Sequence, residues 1–312
     1  MTGPRVPPVF LTRLCLGAVV ANAVIVVTGA LVRLTGSGLG CPTWPRCTPT
    51  SYVNTAEYGV HGVIEFGNRS LTFALSLVVA ACIASTLARR PRRPDLVWWS
   101  LSLLLGIVAQ AVLGGLTVRT HLNPWLVSGH FLLSMALIAA AVTLHVRSGE
   151  PAGRTRVLVH PQMRRLLGLL VAVTAAVLTL GTVVTGSGPH AGDRTARRTG
   201  LDPAMMSQLH ADAVMLLIGL TVATLVALRA TGAPVRAQRA SVVLLGVELA
   251  QGVVGYLQYF LHLPVALVAV HVAGACAVWL AALYLLFAGR ERLAEHLPRT
   301  AQVSAHPSVP VR

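Results

Sequence analysis

The sequence predicts an all-α integral membrane protein, with eight transmembrane helices arranged as two four-helix bundles related by a pseudo-twofold axis. Three observations predict it. Over 312 residues the hydrophobic share is 54% and the mean hydropathy is +0.70, too apolar for a soluble globule of this size. Eight mostly apolar stretches each approach or exceed the ~20 residues that ~30 Å of hydrocarbon requires. Finally, Gln110, Gly114, His121 and His130 return as Gln251, Gly255, His262 and His271, every pair offset by 141 residues.

The first stretch, 12–34, is uncharged from Leu14 to Val32. Ala21-Asn22-Ala23 resembles a signal-peptidase site, but the apolar run continues past it, so a retained helix is expected. A loop over 35–56 follows, holding Thr35-Gly36-Ser37-Gly38 and two cysteines. The second helix is expected over 57–88, the third over 96–118 and the fourth over 124–147, together an N-terminal bundle spanning 12–147. Residues 148–162 form an arginine-rich linker. The fifth to eighth helices, over 163–185, 203–229, 240–260 and 264–288, form a C-terminal bundle spanning 163–288, and Thr185-Gly186-Ser187-Gly188 repeats the earlier TGSG. Four helices precede the linker and four follow, so the halves run in the same direction and the repeat is parallel. Small-residue patterns also recur wherever helices pack closely, which explains the TGSG pair alone equally well. Residues 289–312 mix charge with proline and are expected to be a flexible cytoplasmic tail.

A formal charge of +15 raises nucleic acid as a partner, and the positions of the charges exclude it. With the N-terminus in the cytoplasm, 18 of the 25 arginines fall on inner loops and tails, leaving no basic face for a duplex. The same bias is the positive-inside signal, which places both termini in the cytoplasm and the chain in the cell (plasma) membrane as a multi-pass protein surrounded by lipid.

That orientation puts His61, His121, His130, His190, His210, His262 and His271 on the outer half. His130 lies 17 residues before Arg147, His210 lies 19 before Arg229, and His271 lies 19 before Arg290, so the three share one depth. Neutral imidazoles meeting at one level, with no acidic cluster on their helices, suit a haem iron better than zinc or a hard cation. His210 and His271 are the expected axial pair of the C-terminal bundle. The alternative is that each histidine hydrogen-bonds a neighbouring helix. His121 and His262, at outer helix ends, are candidates for interfacial hydrogen bonds or haem propionate contacts.

In the second helix, His61, Glu65 and Asn68 share a face, with Arg69 one turn beyond Glu65. An acid in an apolar span is a functional candidate by default. A purely structural Glu65–Arg69 pair is the competing reading. Arg33-Leu34-Thr35-Gly36-Ser37-Gly38-Leu39, then Cys41-Pro42-Thr43-Trp44-Pro45-Arg46-Cys47, resembles the first outer loop of haem A synthases, and Glu65-Phe66-Gly67-Asn68-Arg69 resembles that family's E-x-x-H-R. The resemblance covers residues 12 to 290. It implies a haem b cofactor on His210 and His271, haem O as substrate with His130 as its ligand, and Glu65 as the essential acid. The implied reaction converts the C8 methyl of haem O to a formyl group by successive hydroxylations. A haem O-forming farnesyltransferase and a redox partner are implied with it. Asn68 departs from the family's histidine. His61 lies seven residues, about 10 Å, farther out and is a poor substitute, so His130 is expected to hold the N-terminal haem largely alone.

Cys41 and Cys47 face the oxidising side, where a disulfide is plausible, either as a static staple or as a redox relay. Rival readings are a haem b electron-transfer or quinol-oxidising cytochrome, and a duplicated-bundle transporter.

Overall fold

The computed structural model describes residues 6–293. Eight helices long and apolar enough to cross a membrane make up most of it: α1 (Pro8–Leu34), α2 (Gly59–Ala88), α3 (Pro94–Arg119), α4 (Pro124–Gly149), α5 (Pro161–Ser187), α6 (Pro203–Ala230), α7 (Val235–Phe260) and α8 (Val265–Ala288). Proline opens seven of the eight, as the first helical residue of α1, α3, α4, α5 and α6 and as the preceding cap of α7 and α8. Its fixed φ suits the first turn, where its missing N–H has no intrahelical partner to lose. Pro234 also explains why α7 begins five residues before the expected 240: Arg236, Gln238 and Arg239 form a polar first turn that hydropathy alone passes over.

The ends of α3 and α7 repeat one unusual backbone. His121 and Leu122 have φ of 51° and 57°, and His262 and Leu263 have 60° and 62°. The left-handed region is disfavoured for residues with a Cβ, leucine above all. The strain is offset locally, because Leu122 N–H donates to the Thr117 carbonyl at 2.8 Å and Leu263 N–H to that of Gln258 at 2.7 Å, closing each helix before the next proline-led one starts.

Helices α1 to α4 pack in a ring, α1 against α2 and α4, and α3 against the same two; α5 to α8 do likewise, with α1, α4, α5 and α8 meeting between the rings. The buried core of the first ring continues into α8 through Cys276, Trp279 and Leu283, and the Trp279 indole donates to the Met135 carbonyl at 2.8 Å. At the Cys-loop face, Arg33 donates to the carbonyls of His190 (2.6 Å) and Thr185 (3.0 Å), and Gly38 N–H to Gly192 (2.8 Å). The two TGSG segments therefore lie beside the ties that join the halves.

One expectation is corrected at the arginine-rich face. Residues 289–312 read as a flexible tail from sequence, yet Arg290–Arg292 form strand β2, antiparallel to β1 (Thr155–Val157) in the linker. Ion pairs explain the order: Asp95 accepts from Arg93 and Arg292 at 2.9 and 3.0 Å, and Arg290 lies 3.5 Å from Glu150. Burial beside Arg147 and Arg292 lowers the pKa of Arg290, and Glu150 opposes that shift. The remainder of the tail, from 294, lies outside the described residues.

Candidate functional site

In the C-terminal half, α6 and α8 bring His210 and His271 opposite each other in an edge arrangement, with ring centroids 6.4 Å apart and planes at 72°. Two imidazole nitrogens, each about 2.0 Å from a shared metal, put ring centres roughly 6 Å apart, so the pair fits a single iron between them. Both Nδ1 atoms are buried without a hydrogen-bond partner, although His210 stands close to the Val177 carbonyl. Glycines make room for each ring. A Cβ on Gly181 of α5 would sit 3.3 Å from His210 Cε1, and one on Gly255 of α7 would sit 3.4 Å from His271 Cε1. Gln251 then donates to the His271 carbonyl at 2.5 Å and sets the height of α8 against α7. Among the described residues no three His, Cys, Asp or Glu side chains gather to hold an ion.

The N-terminal half repeats this arrangement on α3 and α4. Gln110 donates to the His130 carbonyl (3.1 Å) and to Ser134 (2.6 Å), and a Cβ on Gly114 would lie 3.1 Å from His130 Cε1. His130 Nδ1 is again buried and unpartnered. On α2 the position facing the first helix is Asn68, whose Nδ2 would meet a Cβ on Gly29 at 3.8 Å, as His210 meets Gly181. Its Oδ1 is also buried without a partner. His61 belongs to the Cys loop instead: its Nδ1 is 2.9 Å from Ser37 Oγ, which in turn is 2.9 Å from Thr35 Oγ1.

Glu65 is 5% exposed, and both its oxygens are engaged. Oε1 accepts from Arg69 Nε (3.1 Å) and Nη2 (2.6 Å), and Oε2 accepts from the Cys41 N–H (2.7 Å). Arg69 also donates to the Cys41 and Thr43 carbonyls at 2.9 and 3.0 Å. The pair therefore clamps the loop closed by the Cys41–Cys47 disulfide. Within that loop Trp44 presses on Gly115, so tightly that a Cβ there would clash with the indole, next to the Gly114 that faces His130. His121 and His262 sit, exposed, at the left-handed ends of α3 and α7.

A duplicated eight-helix frame, a facing histidine pair and a disulfide loop clamped by an acid and an arginine can be compared with known proteins. The sequence model of COX15-CtaA, described as a cytochrome oxidase assembly protein, matches residues 12–283. The chain belongs to that family. Among curated relatives, proteins named heme A synthase are similar over part of their length. That of Geobacillus thermodenitrificans is 32% identical over 148 residues, 45% of each chain. That of Geobacillus kaustophilus is 31% identical over 115 residues, 36% of this chain and 35% of its own. That of Shewanella oneidensis is 29% identical over 153 residues, 44% of this chain and 46% of its own. These matches thus span less than half of each relative.

For this member of the family, sequence reasoning missed four residues. Gly29 and Gly181 carry no signal without knowledge of which helix faces which. Trp44 was visible only as part of a motif. Glu248, on α7, disappears into the hydropathy of its neighbours, although a lone acid in a span was the signal that picked out Glu65.

Proposed function

We propose that this protein is a haem A synthase, oxidising the C8 methyl of haem O to a formyl group by successive hydroxylations to give haem A for cytochrome oxidase. The observation that supports this most is the facing pair His210–His271 beside an N-terminal counterpart with only one histidine, in a chain of the COX15-CtaA family. The chain divides into a substrate-binding bundle over 12–147 and a cofactor-binding bundle over 163–288, joined by a cytoplasmic linker. Its arginines set it in the plasma membrane with both termini in the cytoplasm.

His210 and His271 would hold a haem b, which would supply one-electron chemistry when bound. Gln251 and the paired glycines keep the two imidazoles at one height and free of steric pressure. His130 ligates haem O, and Asn68 leaves the opposite side weakly held, which suits a substrate that enters, reacts and leaves. With both oxygens already bonded, Glu65 acts with Arg69 as a positioning residue: it fixes the Cys41–Cys47 loop and so places Trp44 over the His130 site. His121 and His262, with His61 as a further candidate, are assigned to haem propionates. The haem O-forming farnesyltransferase and an electron partner complete the assignment.

The test is conversion. The full chain is produced in a host that makes haem O, purified, and its extracted haems are separated by chromatography. Haem A is expected in the wild type and absent from His271→Ala. Bound haem b without conversion would make the protein an electron-transfer cytochrome, and a colourless protein would end both readings.

A further inference from the structure

We propose that Glu248 is a proton-loading site of the C-terminal half: it takes up one proton from the arginine-rich face when an electron enters the His210–His271 site and releases it when the electron leaves. This rests on the haem reading of that pair. Glu248 is 3% exposed in the middle of α7. Its Oε1 accepts from the Thr221 hydroxyl of α6 at 2.9 Å, while Oε2 is buried with no partner. Carboxylates inside a bilayer are expensive, and those that persist mark ion or proton pathways.

The repeat provides the control. Offset by 141 residues, Ser241, Leu244 and Gln251 of α7 correspond to Ser100, Leu103 and Gln110 of α3, but Glu248 corresponds to Ile107, which is buried too. The scaffold is therefore built without an acid at this position in one half, and joining α6 to α7 needs only a hydroxyl or an amide. The carboxyl sits in the half whose two histidines are paired.

Its position fits a charge-compensating role. Glu248 lies 13 residues from the arginine-rich end of α7 and His271 lies 17 from that end of α8, so the acid is roughly 6 Å inward of the histidine level. Farther inward come Thr221 and Thr224 on α6, and Ser241, two turns from Glu248 on the same face of α7. Ser241 Oγ is itself buried and unpartnered. Among the described residues, the other ionisable groups of α7 and of the helices packed against it lie elsewhere. On α6, His210 and the exposed Asp212 lie toward the other end, and Arg229 lies at the arginine-rich terminus. On α8, Tyr284 faces His145 of α4 and Cys276 packs in the core shared with α1. On α7 itself, Arg236, Arg239, Tyr256 and Tyr259 are near the ends.

The step balances. With a haem held by the pair, each electron from a one-electron reductant would be matched by one proton joining the Glu248 carboxylate to give the neutral acid, so the net charge of the bundle would be unchanged. Oxidation reverses both. The test is a spectroelectrochemical titration of the purified haem-loaded protein at a series of pH values, following the haem signal that disappears in His271→Ala. The midpoint is expected to fall by about 59 mV per pH unit, one proton per electron, over part of the range. In Glu248→Gln that slope should vanish. A flat wild-type midpoint, or a slope retained in Glu248→Gln, overturns the proposal. Should Glu248→Gln fail to retain haem, the wild-type reduced-minus-oxidised infrared difference spectrum decides: a carboxyl C=O band is expected, displaced by Thr221→Val, and its absence or indifference to that change overturns the proposal. Lack of haem at the pair fails the functional reading; haem with a pH-independent midpoint fails this inference alone.

Discussion

The third and fourth helices of the N-terminal half and the seventh and eighth of the C-terminal half are built alike. In both, a glutamine donates to a histidine's own carbonyl, a glycine lies against that imidazole, and a left-handed histidine–leucine pair ends the helix before it. The second helices differ. Where α6 presents His210, α2 presents Asn68, and α2 alone carries the Glu65–Arg69 clamp on a disulfide loop. One pattern is thus repeated in both halves, and the difference in the second helix leaves one half with a symmetric histidine pair and the other with a single histidine.

The comparison breaks most completely at the symmetric site. His271→Ala should abolish the bis-histidine absorption spectrum and reduce haem A formation to background, while leaving the haem that depends on His130 in place. A spectrum unchanged in shape would refute the paired assignment. The next largest effect is expected at the clamp. Glu65→Ala strands Arg69 under the loop, and breaking a buried pair of this kind costs about 3 kcal/mol, somewhat less here because Arg69 is partly exposed. Turnover should fall about 100-fold with both haems bound. Glu65→Gln, which still accepts from the Cys41 N–H, should recover part of that activity; equal loss in the two variants would return Glu65 to proton chemistry.

Asn68→His tests the asymmetry itself. A second imidazole opposite His130 should tighten haem retention in the N-terminal half by about tenfold, equivalent to ~1.4 kcal/mol, and slow product release. This is measured as haem content after detergent washing and as single-turnover against steady-state rate. No change in retention would mean that Asn68 does not occupy the place that His210 occupies. The smallest effect is expected from Gln251→Leu, which removes one hydrogen bond to the His271 carbonyl. A loss of about 1 kcal/mol should appear as a slightly lower Tm of the haem-bound protein, with the spectrum preserved. The same change at Gln110 should cost more, because Gln110 also donates to Ser134.

Most of the frame was legible from residue order. The expected helices match those observed to within a few residues, apart from the polar start of α7. His130 and His271 were picked out by the repeat and by their apolar surroundings, and depth added His210; the 6.4 Å between the His210 and His271 rings agrees with that count. Less was legible around Glu65. Its spacing to Arg69 predicted the pair, but the Cys41 N–H that takes its other oxygen comes from a loop 24 residues away. The β1–β2 ribbon was missed because three-residue strands rich in arginine look like linker and tail until ion pairs to Asp95 and Glu150 hold them.

By itself, the sequence determined the number of spans, the 141-residue repeat and the position of each polar residue along its span. A bilayer forces every span to satisfy its backbone within its own helix, so length and hydropathy are local properties that can be read one segment at a time. The rotation of each helix was decided only by the tertiary structure. Lipid and protein interior are both apolar, so hydropathy alone does not mark the face of a span that turns inward. Hence the packing of Asn68 on Gly29, of Trp44 on Gly115, and of Glu248 against Thr221 became visible only once the helices were placed side by side.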